Sequence, residues 1–337
     1  MTAHDTTPDT TPDTTPDTTA PAARPGTARI RVGSAPDSWG VWFPDDPQQV
    51  PWQRFLDEVS AAGYEWIELG PHGYLPTDPA RLGEELAARG LRVSAGTVFE
   101  HLHRPDSWDD VWRQVGDVAT LTAAMGGTHV VVIPDVWRDH RTGEAVEPRE
   151  LTAAAWARLA AGVDRLGRAV QEEYGLSIAF HPHADSHVGR QHEIERFLAG
   201  TDPRYVPLCL DTGHVSYYGG DNLDLIRRYP ERIGYLHLKQ VDPAVIERVH
   251  AEDVPFPQAV QLGAMIEPPH GVPDLPPLLA EVERLGLDVF AIVEHDLYPC
   301  PPDVPLPIAQ RTHRLIGSCG LRSLEIGRPR TPGQVPA

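Results

Sequence analysis

The residues best placed to do chemistry sit at the ends of apolar runs. VPLCLDTGH (206–214) runs into Asp211, with His214 three positions later. SIAFHPH (177–183), IGYLHLK (233–239) and VFAIVEHD (289–296) end the same way, offering His181 with His183, His237 with Lys239, and Glu294. In an α/β barrel the carboxyl ends of the strands converge on one face, so residues distant in the chain meet there. His181, Asp211, His237 and Glu294 make a mixed nitrogen and oxygen donor set, which suits Mn²⁺, Co²⁺, Zn²⁺ or Fe²⁺ rather than a calcium cage. Lys239 stands two residues past His237, on the same face of an extended strand, where an ammonium can polarise a carbonyl or move protons. Each residue alone has a plainer account: a structural histidine, a helix-capping carboxylate, a surface lysine. One metal site explains all of them together better than separate coincidences do.

The first half of the chain offers Trp39, Glu68 with His72, Glu100 with His101 and His103, and Asp135 at matching positions. Trp39, Trp42 and Phe43 are candidates for an apolar wall against a sugar ring. His72, Glu100 and His101 are candidate substrate contacts. Glu267, His270 and Asp274, in the stiff stretch EPPHGVPD, are weaker ones.

These residues need a scaffold, and the chain supplies a rhythm. Strand-like runs at 28–35, 64–70, 91–99, 128–134, 176–181, 206–211, 232–239 and 287–296 alternate with helical stretches. Several helices are started by proline and stopped by glycine, as at 51–63 and 78–90. Others are expected at 107–126 with Ser107 as N-cap, at 148–175, 191–199, 221–229 and 275–286, and one through 306–317. Eight strands alternating with helices over about 290 residues predict a (β/α)8 TIM barrel. An open doubly wound sheet usually shows a GxGxxG turn after its first strand, and GSAPDSWG lacks that spacing. Residues 1–28, with their TTPD repeat, cannot build a core and are expected to be a disordered acidic tail. The barrel is expected over 29–320, with a flexible carboxyl-terminal tail over 321–337.

Of the 337 residues, 41% are apolar, enough for a large core, and the net charge is −19. That charge argues against a nucleic-acid partner, since phosphate binding depends on lysine and arginine. Three scattered cysteines and no CxxC pair suggest a reducing cytoplasm. No apolar run approaches the ~20 residues that span a bilayer, so no membrane association is expected, and no export signal is evident.

The stretches APDSWG (35–40), IELGPHGYLP (67–76), FHPH (180–183), LCLDTGH (208–214), HLKQVDPAVIERV (237–249) and VEHD (293–296) resemble the metal-dependent, xylose isomerase-like TIM barrels. They look most like the keto-cyclitol dehydratase (inosose dehydratase) branch. The resemblance covers Arg29 to Gly320. It implies a divalent metal at the ends of strands five to eight, Mn²⁺ or Co²⁺ first and Zn²⁺, Fe²⁺ or Mg²⁺ after them, and a homo-oligomer of unspecified order. The chain departs from the family's epimerases in carrying His181 where they carry a glutamate, which undercuts a two-glutamate mechanism and leaves open whether His181 or His183 is the ligand. It departs from the dehydratases in GAMIEPPHGVPD and in His295. The expected activity is dehydration of a small keto-cyclitol or keto-sugar, with 2-keto-myo-inositol as reference. His214 or Lys239 is the expected base, and Glu68 or His183 the acid or substrate anchor. A sugar isomerase or epimerase is the alternative. A non-catalytic sugar-binding subunit would predict a missing ligand, and none is missing.

Overall fold

A computed structural model describes residues 28–139 and 141–329. Eight runs rich in Val, Ile, Leu and Ala form the expected strands: Arg29–Ser34, Trp66–Glu68, Arg92–Glu100, His129–Pro134, Ser177–Phe180, Leu208–Asp211, Ile233–Leu238 and Asp288–Val293. Each is parallel to the next, and the eighth returns to the first in register from Arg29↔Asp288 to Ser34↔Val293, closing the barrel. Gly33 sits where that seam is tightest. A Cβ there would stand 2.5 Å from the Trp66 carbonyl oxygen and 2.7 Å from Ile292 Cδ1.

The outer ring consists of helices Trp52–Ala62, Pro79–Arg89, Trp108–Ala124, Ala153–Tyr174, Gln191–Ala199, Asn222–Arg228, Leu275–Arg284 and Pro305–Gly317. Two helix starts differ in detail from the sequence reading. The helix expected from residue 148 starts at Ala153, because the Thr152 hydroxyl accepts the Ala155 N–H and sets the first turn there. Ser107 makes no capping bond; its hydroxyl donates to the Arg104 carbonyl at 3.0 Å.

Inside the barrel, Ala95, Val131 and Ala179 face Tyr235, Phe290 and Ile292. The small side chains make room for the two rings, and Tyr235 donates to Ser94 Oγ at 2.8 Å. Inward positions alternate along a strand, so Tyr235 forms the floor under His237, two residues on. Between strands seven and eight the chain makes an excursion. Gln240–Val241 pairs antiparallel with Met265–Ile266, and helices Pro243–Glu252 and Phe256–Gln261 lie between them.

The Thr/Pro/Asp-rich segment expected to be disordered lies outside the described residues, save for Ala28. The carboxyl-terminal segment expected to be a flexible tail from 321 departs from that reading. Its Leu324–Glu325 runs parallel to Ile30–Arg31, and Glu325 accepts from Arg29 at 2.7 and 3.1 Å. It fills the flank of the first strand that the three-residue second strand leaves open. Among the described residues, no helix is long and apolar enough to cross a membrane.

Arg232, 4% exposed, ties strand seven to the segment entering strand six. Its guanidinium donates to the carbonyls of Leu198 (2.6 Å) and Val206 (2.8 Å) and to Thr201 Oγ1 (2.8 Å). Arg232→Ala leaves these acceptors buried and unpaired. The expected loss is about 3 kcal/mol of unfolding free energy, measured by urea denaturation; an unchanged midpoint contradicts this role.

Candidate active site

The strand ends of the second half-barrel meet. His181, Asp211, His237 and Glu294 are all buried, and one potential ligand atom from each lies within 4.8 Å of the other three. Asp211 does double duty. Its Oδ1 caps the short helix Thr212–Tyr217 by accepting the His214 N–H at 2.8 Å. That fixes Oδ2 toward His181 Nε2 (3.3 Å), His237 Nδ1 (3.6 Å) and Lys239 Nζ (3.2 Å). Glu294 is held by the barrel seam: Ser34 and Ser38 hydroxyls donate to the Val293 carbonyl, and Ser38 Oγ accepts the His295 N–H.

His237 is oriented from behind. Its Nε2 lies 2.8 Å from Glu68 Oε1, and the Thr97 hydroxyl donates to the other Glu68 oxygen at 3.1 Å. With the Nε2 proton given to Glu68, the Nδ1 lone pair faces Asp211 and Glu294 Oε2, the latter at 2.8 Å. A carboxylate behind an imidazole is the usual device for aiming a metal-binding histidine. The contact suits Glu68 to positioning His237, a role the sequence did not assign it.

The donors fit a divalent cation. Asp211 Oδ2 and His237 Nδ1, which face each other, are buried and lack a hydrogen-bond partner of good geometry. Three buried carboxylates, Asp211, Glu294 and Asp296, crowd around one ammonium, and a fourth, Glu68, backs His237. Cys209 also lies near His181 and His237. Burial pushes its thiol up to about 12, so it keeps its proton and makes a poor ligand.

Lys239 is 2% exposed and reaches Asp211 Oδ2, Glu294 Oε2 (3.1 Å) and Asp296 Oδ2 (2.9 Å). Burial opposes its charge, but Asp211, Asp296 and Glu294 outweigh burial and hold the ammonium well above the usual lysine range. Gly213 makes this approach feasible, since a Cβ there would meet Lys239 Cγ at 2.5 Å. Burial, then neighbouring His183, keeps His214 well below the usual histidine range. Its Nδ1 accepts the Ala184 N–H at 3.1 Å, so the neutral ring carries its proton on Nε2, 3.4 Å from Lys239 Nζ. His183, with its ring centroid 3.9 Å from that of His214, donates Nδ1–H to the Ala184 carbonyl at 2.7 Å. Its neutral form thus keeps the lone pair on Nε2. In this arrangement His214 and Lys239 present protons and His183 presents a lone pair.

The groups line a cavity of about 490 Å³. Trp42, Phe43 and Phe256 give it an apolar wall, and His72, Arg138 and Asp185 add polar ones. Trp42 stacks on Tyr298 (5.0 Å) and Phe256 (6.0 Å), bridging the loops after strands one, seven and eight. Trp39 is not part of this wall. The turn Pro36–Trp39 swings it into the core, where its indole N–H donates to Glu58 Oε2 at 2.8 Å and it packs edge-on against Phe55. Nor do Glu100 and His101 border the cavity. Glu100 accepts the Leu102 N–H at 2.5 Å, and burial pushes its carboxyl up to about 8. His101 points at Asp110 on the adjacent helix, 3.4 Å away. Glu267 is paired with Arg311 at 2.6 Å. Sequence reasoning missed Asp296, Asp37 and Phe256, which all line the cavity. The two-residue alternation that selected Lys239 would also have selected Asp296.

Two outcomes follow from these contacts. Glu68→Gln weakens Mn²⁺ binding about 10- to 100-fold, as measured by calorimetric titration, and unchanged affinity contradicts the positioning role. Burial holds the Glu100 carboxyl up at about 8 in the folded chain, above the usual carboxylate range. The folded chain therefore holds an extra proton between that range and about 8, and stability falls as pH rises through that window. Glu100→Gln removes this fall, so its urea midpoint should decline less than the parent's between about pH 5 and 8.

Comparison with known proteins agrees with this fold. The profile of the xylose isomerase-like TIM barrel family matches residues 56–312. An inosose dehydratase of Geobacillus kaustophilus is 31% identical over 281 residues, covering 80% of this chain and 88% of that one. One from Bacillus velezensis is 28% identical, covering 83% and 95%. Among solved structures, the IOLI protein with a bound zinc atom superposes with a TM-score of 0.65 at 15% identity, over 87% of this chain and 99% of that one. A D-allulose 3-epimerase from Methylomonas sp., in complex with D-allulose, gives 0.63 at 15%, over 88% and 99%. The chain belongs to the xylose isomerase-like TIM barrel family.

Proposed function

We propose that this chain is a metal-dependent hydro-lyase that removes water from a keto-cyclitol or keto-sugar, with 2-keto-myo-inositol as the reference substrate. One observation carries the reading above the others. The buried His181, Asp211, His237 and Glu294 set opens, beside Lys239 and His183, onto a cavity of about 490 Å³, in a chain whose relatives are named inosose dehydratases.

A divalent cation held by those four residues, for which the family resemblance puts Mn²⁺ or Co²⁺ first, would supply Lewis acidity to the substrate carbonyl. The remaining work is proton handling. Dehydration beside a ketone needs a base for the α-proton and an acid for the departing hydroxyl. His183 takes the α-proton on Nε2. Lys239, kept charged by three carboxylates, gives a proton to the hydroxyl as its C–O bond breaks, and water leaves. His214 Nε2–H, beside Lys239, is the second donor. His72, Arg138 and Asp185 suit ring hydroxyls, while Trp42, Phe43 and Phe256 suit an apolar ring face and exclude water. The three cysteines are unpaired, in keeping with a reducing cytoplasm.

Metal analysis of the purified protein, combined with an ultraviolet assay for dione formation from 2-keto-myo-inositol, tests this. The expected result is Mn²⁺- or Co²⁺-dependent product, abolished in Asp211→Ala and Glu294→Ala. His183→Ala should lower kcat by about 10²- to 10⁴-fold with KM little changed. Bound metal without product points instead to an isomerase or epimerase. A chain that binds no metal overturns the proposal.

A further inference from the structure

A second histidine–carboxylate group lies apart from the cavity. His103, on the loop after strand three, Glu147, on the loop after strand four, and His187, on the loop after strand five, bring one ligand atom each within 4.8 Å of the others. The side chains are 6%, 21% and 2% exposed. None of the three borders the cavity.

Their hydrogen bonds define what the cluster offers. His187 Nδ1 donates to the Arg149 carbonyl at 2.8 Å, so its neutral ring presents a lone pair on Nε2. That lone pair is aimed at Glu147 Oε2, 3.4 Å away. Two acceptors do not face each other in a buried site unless a positive charge lies between them. His103 Nε2 approaches the same oxygen at 2.7 Å, so Oε2 is the shared point of both rings. The other oxygen, Oε1, is taken by the Arg104 guanidinium, which also reaches Asp135 Oδ2 at 3.1 Å. The arginine is thereby shared between two carboxylates, and only Oε2 is turned to the imidazoles. Zinc bonds of about 2.0–2.2 Å to nitrogen and oxygen at tetrahedral angles put neighbouring donors about 3.3 Å apart; the His187–Glu147 spacing of 3.4 Å matches this, and the 2.7 Å between His103 and Glu147 has to widen by about 0.6 Å to admit the ion. The Arg149 carbonyl behind His187 fixes the ring as Glu68 fixes His237.

We propose that His103, Glu147 and His187 form a second divalent-cation site, taking Zn²⁺ through two imidazoles and one carboxylate. The site clasps three βα loops together. Those loops also carry Arg138, Asp139 and His183, which line the cavity, so the cation steadies the cavity wall without touching substrate. This inference stands independently of the proposed reaction.

The test is equilibrium dialysis of the chelator-stripped full chain against Zn²⁺ alone, followed by elemental analysis. The expected result is about two equivalents per chain, falling to about one in Asp211→Ala/Glu294→Ala, which leaves this cluster intact. His187→Gln and His103→Gln should each also fall to about one. One equivalent in the parent chain that is lost in Asp211→Ala/Glu294→Ala, or none in that variant with its circular dichroism retained, overturns the proposal and makes the cluster a proton-held pair of histidines. Two equivalents retained in folded His187→Gln overturns it equally. Failure of the dehydratase assay changes none of these counts, so the two proposals fail separately.

Discussion

Keeping negative charge out of water at the mouth of the barrel is the constraint on which the rest depends. Asp211, Glu294, Asp296 and Glu68 are all less than a tenth exposed. Two like charges 4 Å apart repel by about 4 kcal/mol at an effective dielectric of 20, and burying each carboxylate costs several kcal/mol more. Strand seven supplies the answer. His237 and Lys239, alternate inward positions on that run, touch carboxylates from strands two, six and eight. Arg232 anchors the strand at its root, Tyr235 floors it, and Gly213 leaves the lysine stem its path.

The barrel and the convergence of His181, Asp211, His237 and Glu294 were legible in the sequence because both follow from a simple pattern. Apolar runs such as LCLD and YLHL have one plausible form between helices, and closure then brings Asp211 and His237 together. The roles around the quartet were not legible. Whether His183 or His214 presents a lone pair depends on which one meets the Ala184 N–H and which the Ala184 carbonyl, and no spacing encodes that. Trp39 and Trp42 are three residues apart with the same chemistry; a single turn of 3-10 helix sends one into the core and leaves the other at the cavity. Glu68 looked like a catalytic carboxylate because it ends a strand, yet its position opposite His237 is a fact of closure across the barrel. Phe256 comes from an excursion with no periodic signal.

The mouth is fastened differently on its two sides. Aromatic stacking through Trp42, Tyr298 and Phe256 joins the loops after strands one, seven and eight. Polar contacts through His103, Glu147 and His187 join the loops after strands three, four and five. The apolar fastening is insensitive to pH and to ions, whereas the polar one responds to both. The cavity between them is therefore walled by one rigid flank and one flank whose firmness depends on the solution around it.

The pairing of the first and last strands carries a consequence for how the protein is made. Ser34 and Val293 are 259 residues apart in the chain, yet they are hydrogen-bonded. Contacts of such long range form only after the entropy of closing the intervening loop has been met, which slows folding. During synthesis the ribosome releases strand eight long after strand six and seven, so Asp211, His237 and Lys239 emerge without their partners Glu294 and Asp296. The crowded acidic centre is thus completed only by strand eight, and a nascent chain arrested before that point has the makings of a barrel wall but no reaction chamber.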